Sequence, residues 1–106
     1  MVLVGAHEVI AVEIERALLD LQAQLRSAQL KRLAYAERVG RSVRLVMAIP
    51  DTYRNRTAFG EHRALIEAAL PVPPRRIWAA LRSGDDLNGD GFLWIRAPRS
   101  PTDKPG

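Results

Sequence analysis

The chain has no cysteine in its 106 residues. Disulfides and thiolate metal sites are therefore excluded, and a reducing cytoplasm is a compatible and expected location. Long hydrophobic runs are missing too: nothing approaches the roughly 20 apolar residues of a transmembrane helix. The opening MVLVGAHE has neither a basic n-region nor a long apolar core, so no signal peptide and no membrane partner is expected. Lysine occurs only at Lys31 and Lys104. Aromatic residues make up 6% of the chain. With so few large aromatics, Trp78 and Trp94 are expected in the core rather than as stacking platforms. There is no glycine-rich phosphate loop and no nucleophile elbow. His7 and His62 have no partner at metal-ligand spacing, and His62 is expected to pack on the apolar face of its helix.

An apolar content of 47% and a charged content of 26% are those of an ordinary globular domain. The length supports one core and one domain, residues 1–97, before a polar, proline-rich tail at 98–106 that is expected to be disordered. The net charge is +4 and the pI about 10.3. That balance admits DNA or another polyanion as partner, and arginine suits bidentate phosphate contact. A GC-rich coding sequence yields the same Arg/Ala/Leu-rich, Lys-poor composition with no partner at all.

Met1–Val4 reads as a short strand, Gly5-Ala6-His7 as a tight turn and Glu8–Glu15 as the antiparallel partner strand. Val9–Val12 is an unbroken, largely β-branched run of the kind covered on both faces. Glu13 and Glu15, two apart, share one face of that strand. The period then becomes helical from about Arg16 to Val39. On a 100° wheel Leu18, Leu21, Leu25, Ala28 and Leu33 form the core stripe, with Gln22 and Gln29 near its middle. Lys31 falls with Asp20, Ser27 and Arg38 on the solvent side, and Gly40 closes the helix.

Ser42–Ile49 is a second buried strand ended by Pro50, parallel to the first because a helix lies between them. Asp51-Thr52 follows at its carboxyl end, where Asp51 caps a turn or, as ends of open α/β sheets allow, meets a ligand. A helix from Arg54 or Thr57 to Leu70 would present Ala58, His62, Leu65, Ile66 and Ala69 on one face. After Pro71-Val-Pro-Pro, a short helix spans Pro74–Ser83 with Pro74 at its first position and Gly84 past its end. Asp85–Gly91 is a loop and Phe92–Arg96 the last strand. The resulting β-β-α-β-α-α-β order indicates an α/β (α+β) domain with a small mixed sheet flanked by helices.

Glu13 and Glu15 are the leading candidate site, since paired carboxylates at a strand end can share a hard cation such as Mg²⁺. Simple solvation of both side chains is the alternative. Asp86, Asn88, Asp90 and Gly91 match positions of a calcium loop, but Ala97 stands where the bidentate glutamate is needed, and the run is ordinary turn chemistry. Arg54, Arg56 and Arg63, with Arg75, Arg76 and Arg82, can line a phosphate-binding surface or form a solvated basic face.

Three features together resemble a known family: the strand ending Glu13-x-Glu15, the helix carrying Leu21-Gln22-Ala23, and the apolar strand closing with Asp51-Thr52-x-x-Asn55-Arg56. They are similar to the restriction-endonuclease-like nucleases, in particular to the domain that follows a helix-turn-helix in regulator-like proteins of high-GC bacteria. The resemblance runs from about Val2 to Trp94. It implies Mg²⁺ as cofactor, Glu13 as the strand acid, a helix glutamine (Gln22 or Gln29) near the metal, and DNA as partner. The chain departs from the pattern at two positions. The superfamily's lysine position carries Glu15, leaving Lys31 on the helix as the replacement, which its place on the polar side of the wheel disfavours. The aspartate of the preceding strand would fall at or before Met1. A truncated longer protein and a nuclease fold that has lost catalysis both satisfy this pattern. The expectation is a nucleic-acid-associated, catalytically impaired domain. The alternatives are an active Mg²⁺-dependent DNA endonuclease completed by upstream residues or a partner, and a structural or sensing domain of a transcriptional regulator. An unpaired N-terminal strand could also be completed by homodimerisation.

Overall fold

In the computed structural model, which describes residues 1–5 and 7–97, four strands form one mixed sheet in the order β1-β2-β3-β4. The strands are β1 (Val2–Val4), β2 (Val9–Ile14), β3 (Val43–Pro50) and β4 (Gly91–Ile95). The helices are α1 (Leu21–Val39), α2 (Tyr53–Glu61), α3 (Arg63–Ala69) and α4 (Pro74–Ser83). This is the expected α+β architecture. β1 is antiparallel to β2, with Val2 opposite Ala11, while β2, β3 and β4 run parallel. β1 is exposed along its length, and its outer edge is open. Ala6 and residues 98–106, the expected disordered tail, lie outside the described residues.

Burial decides the layers. β3 is buried at every position but Arg44, which matches its unbroken apolar run and its central place in the sheet. Leu45, Met47 and Ile49 on one face pack with Leu21, Leu25 and Ala28 of α1, Phe59 of α2 and Ile66 of α3. Val46 on the other face packs with Ile10, Leu93 and Leu87 and with Ile77 and Ala80 of α4. The sheet is thus covered by α1, α2 and α3 on one side and by α4 on the other. Among the described residues no helix is long and apolar enough to cross a membrane.

The helix boundaries correct the sequence reading at two places. α1 starts at Leu21 rather than Arg16, because the Asp20 side chain accepts the Ala23 N–H and caps the helix there. Its far end is as expected, with Gly40 left-handed at φ +65°. Leu33, expected in the core, is half exposed at 50%, because α1 starts after Leu18 and its buried stripe runs through Leu21, Leu25 and Ala28, well to one side of Leu33. The second helix is two, broken at His62, whose N–H serves Ala58 and Phe59 while its C=O starts α3. His62 is therefore exposed rather than packed. α4 matches its expected span, with Pro74 in the first turn and Gly84 left-handed at φ +80°.

Trp78 is 45% exposed on α4 and does not enter the core. Trp94 is half-buried against the first cluster, edge-on to Phe59 at 5.3 Å between ring centroids. Gly91 opens β4 where Val72 bridges to it, and a Cβ there would stand 2.3 Å from the Val72 carbonyl oxygen. Glycine is the residue that tolerates that approach.

Candidate functional site

Glu13 and Glu15 point to the α1 side of the sheet. The strand neighbour of Glu13 in register, Met47, belongs to the cluster under α1, and Glu15, two residues on, follows on the same side. β2 leaves the core at this end, which lets both acids reach the rim between sheet and helix. α1 supplies their partners. Lys31 Nζ lies 2.7 Å from Glu13 Oε1, and Gln24 Nε2 donates to Glu15 Oε2 at 3.1 Å. Gln24 Nε2 also donates to the Ala17 carbonyl at 2.8 Å, so the amide ties the strand end to the loop before the helix.

Two expectations are corrected here. Lys31 does reach the strand acid. Its Cα lies to the side of α1, and its long stem spans the rest, so a position on the polar arc of the wheel does not stop it. Gln22 does not join the acids: it is exposed, on the side of α1 that faces His62 and Leu65. Gln24, two residues on, is the α1 glutamine that reaches the acids. Gln29, the other candidate, donates to Asp90 Oδ2 at 2.9 Å and accepts from Arg32, far along the helix from Glu15.

The hydrogen bond and charge of Glu13, with a smaller contribution from Glu15, hold the Lys31 ammonium above its ordinary pKa. The pair is well exposed, with side-chain exposures of 64% and 29%, and adds little stability. Its effect is local, placing a fixed cation against one of the two carboxylates. Among the described residues no group of three or more His, Cys, Asp or Glu could hold a metal. Two carboxylates are a partial donor set for Mg²⁺, which asks for near-octahedral oxygen coordination.

The Asp51-Thr52-x-x-Asn55-Arg56 run has a structural role throughout. Thr52, not Asp51, caps α2, its side chain accepting the Asn55 N–H at 3.0 Å. Asn55 is buried at the first turn of α2. Its Oδ1 accepts the Leu18 N–H, and its Nδ2 donates to the Arg16 and Pro50 carbonyls. The Asn55 side chain therefore fixes the loop that launches α1 and, through it, Gln24 and Lys31.

Asp51 holds Arg56 bidentately at 2.8 and 3.0 Å, and the same guanidinium lies 4.0 Å over the Trp94 ring. The Arg56 hydrogen bonds hold the Asp51 carboxyl below its usual range, against a smaller opposing effect of desolvation. A depressed folded-state pKa stabilises above the unfolded-state value and is lost as pH falls through the folded-state value. The midpoint difference between wild type and Asp51→Asn in urea unfolding is therefore expected at neutral pH and should close on acidification. A difference that persists below that range would contradict the pairing.

The six arginines divide between layers. Arg54, Arg56 and Arg63 lie on α2 and α3, while Arg75, Arg76 and Arg82 lie on α4, across the sheet. Arg63 pairs with Glu67 at 3.5 Å and covers Phe59, and Arg56 is held as above. Arg54, Arg75 and Arg76 are exposed and make no ion pair among the described residues. The six arginines that could line a phosphate-binding surface or form a solvated basic face thus lie on two opposite sides of the sheet.

The Asp86–Gly91 run is a turn. Asp90 Oδ1 accepts the Leu45 N–H at 2.8 Å, and its Oδ2 takes the Gln29 amide, with Arg32 at 3.9 Å. Asn88 adopts φ +58°, and the N–H groups of Leu87 and Asn88 are bonded to Glu8. The carboxylate a calcium ion would need is already engaged with the protein. No sequence signal marked Glu8 or Asp90 as organising groups, because both act across long separations. Comparison of the chain with protein-family models, curated proteins and solved structures finds no match.

Proposed function

We propose that this chain is a nucleic-acid-associated domain of restriction-endonuclease-like kind whose acidic face is not a working metal centre. The observation that carries the reading is the occupancy of that face. Glu13 is taken by Lys31 and Glu15 by Gln24. An ammonium in contact with one of two carboxylates opposes a divalent cation by charge and competes for its oxygen ligand. Arg54 on α2 and Arg75 and Arg76 on α4, exposed and without an ion pair among the described residues, are available to a polyanion in a chain of net charge +4.

A fluorescence-anisotropy titration of the chain with a short DNA duplex, from about 50 to 200 mM salt, tests this reading. Binding should weaken steeply with salt. Arg75→Ala/Arg76→Ala or Arg54→Ala, whichever layer carries the surface, should make the slope shallower by about one per phosphate contact removed. Absence of binding at low salt would remove the reading and leave a protein-contact or sensing domain of a transcriptional regulator.

A second reading, an active Mg²⁺-dependent endonuclease completed by upstream residues or a partner, is favoured by one observation. Lys31 stands beside the strand acid, the neighbour that the resembled nucleases provide with their lysine. Plasmid cleavage in Mg²⁺ or Mn²⁺, lost in both Glu13→Ala and Lys31→Ala, would establish it over the first.

A further inference from the structure

The outward side of α1 carries a self-complementary seam. On a 100° wheel Ala23, Leu30 and Ala34 lie opposite the buried Leu21, Leu25 and Ala28, with Arg26, Leu33 and Glu37 beside them. All six are exposed, Leu30 by 61% and Leu33 by 50%. Ala23, Arg26, Leu30, Leu33 and Glu37 follow the alternating three- and four-residue spacing of a coiled-coil seam. A helix that already buries one side on a sheet has no internal reason to repeat leucine at that spacing on the other.

The charges on the seam select an occupant. Two copies of α1 packed antiparallel, about a two-fold axis passing between Lys31 and Arg32, set Leu30 of each against Leu33 of the other. The same axis sets Arg26 against Glu37 twice, once at each end. A parallel pairing would instead place Arg26 on Arg26 and Glu37 on Glu37. Neither residue makes an ion pair within the chain among the described residues. Ser27 and Ala34 flank the leucines and are small enough to let the two axes approach.

We propose that this chain forms a two-fold dimer through antiparallel pairing of the outer faces of α1. The interface belongs to the small class, so the dimer is weak and concentration-dependent. It does not depend on the nucleic-acid reading, since it uses the side of α1 away from Glu13 and Glu15.

Sedimentation velocity from roughly 10 µM to 1 mM reads the mass directly, with the expected rise from 11.8 kDa toward twice that value. Leu30→Glu/Leu33→Glu should remain monomeric throughout with an unchanged far-UV circular dichroism spectrum, because both residues are surface residues. Arg26→Glu alone should weaken the dimer roughly tenfold, as should Glu37→Arg alone. The double variant Arg26→Glu/Glu37→Arg should restore it, which only the antiparallel arrangement provides. A mass that stays at the monomer value across the range would overturn the proposal. A dimer indifferent to the leucine changes would overturn it as well, placing the interface elsewhere, such as the open edge of β1. Single charge variants without effect would rule out the antiparallel geometry.

Discussion

Replacing Asn55 by alanine is expected to destabilise the fold by about 3 kcal/mol, read as a lower urea midpoint at unchanged slope. Asn55 is 2% exposed, and its amide satisfies three backbone groups: the Leu18 N–H at 3.1 Å and the Arg16 and Pro50 carbonyls at 3.0 Å each. Alanine leaves the Leu18 N–H and the Arg16 carbonyl without partners in a site water reaches poorly, at about 1–3 kcal/mol each before relaxation, while the Pro50 carbonyl keeps the Thr52 N–H at 2.9 Å. The isosteric Asn55→Asp should be at least as damaging, because an oxygen would then face two carbonyl oxygens and carry charge into the core. A near-neutral Asn55→Asp would show that the amide does not bridge the loop to β3. The same variants should displace Gln24 and Lys31 from the acids, since the loop held by Asn55 sets where α1 begins.

Glu8→Ala is the second large effect, again about 3 kcal/mol. Glu8, 5% exposed, accepts the Leu87 N–H at 3.0 Å and the Asn88 N–H at 3.3 Å, with Arg44 Nε at 3.4 Å. It joins the start of β2 to a loop some eighty residues later in the chain. Its removal orphans two amides and leaves Arg44 without its carboxylate. Glu8→Gln keeps one acceptor oxygen and should recover part of the loss. In hydrogen exchange, residues 85–90 should lose protection in Glu8→Ala before β3 does, because the carboxylate restrains that loop directly. Uniform loss across the chain would mean that Glu8 acts through global stability alone.

Local patterns were dependable guides where burial follows from a single element. The apolar run of β3, the proline and glycine that bound α4, and Gly40 at the end of α1 each state a local physical requirement, and each lies where that requirement puts it. Wheel arguments failed where their origin lay outside the helix. Leu33 and Gln22 fall on the core arc only when the wheel is centred on Leu18, which precedes α1; measured from the buried Leu21, Leu25 and Ala28, both lie well to the side and are exposed. The break at His62 was equally hidden, since Ala58, Leu65 and Ile66 keep a helical period across it. Trp78 shows the same limit: scarcity of aromatics says that a core needs them, not which one it takes.

The candidate site divides along the same line. That Glu13 and Glu15 share a face follows from the two-residue period of a strand and needs no other element. That Lys31 and Gln24 meet them depends on the rotation and start of α1, which are set by Asp20 at its cap and by Asn55 from α2. The succession of strands, the parallel crossover and the basic balance follow from propensity, patterning and composition, which act within short stretches, although the same patterns ran α2 and α3 together as one helix. Which acids are free and which are held is set by packing between distant segments. Glu8, Asp90 and Asn55 take their partners from segments far away in the chain, and no local pattern encodes a contact that packing alone brings within hydrogen-bond reach.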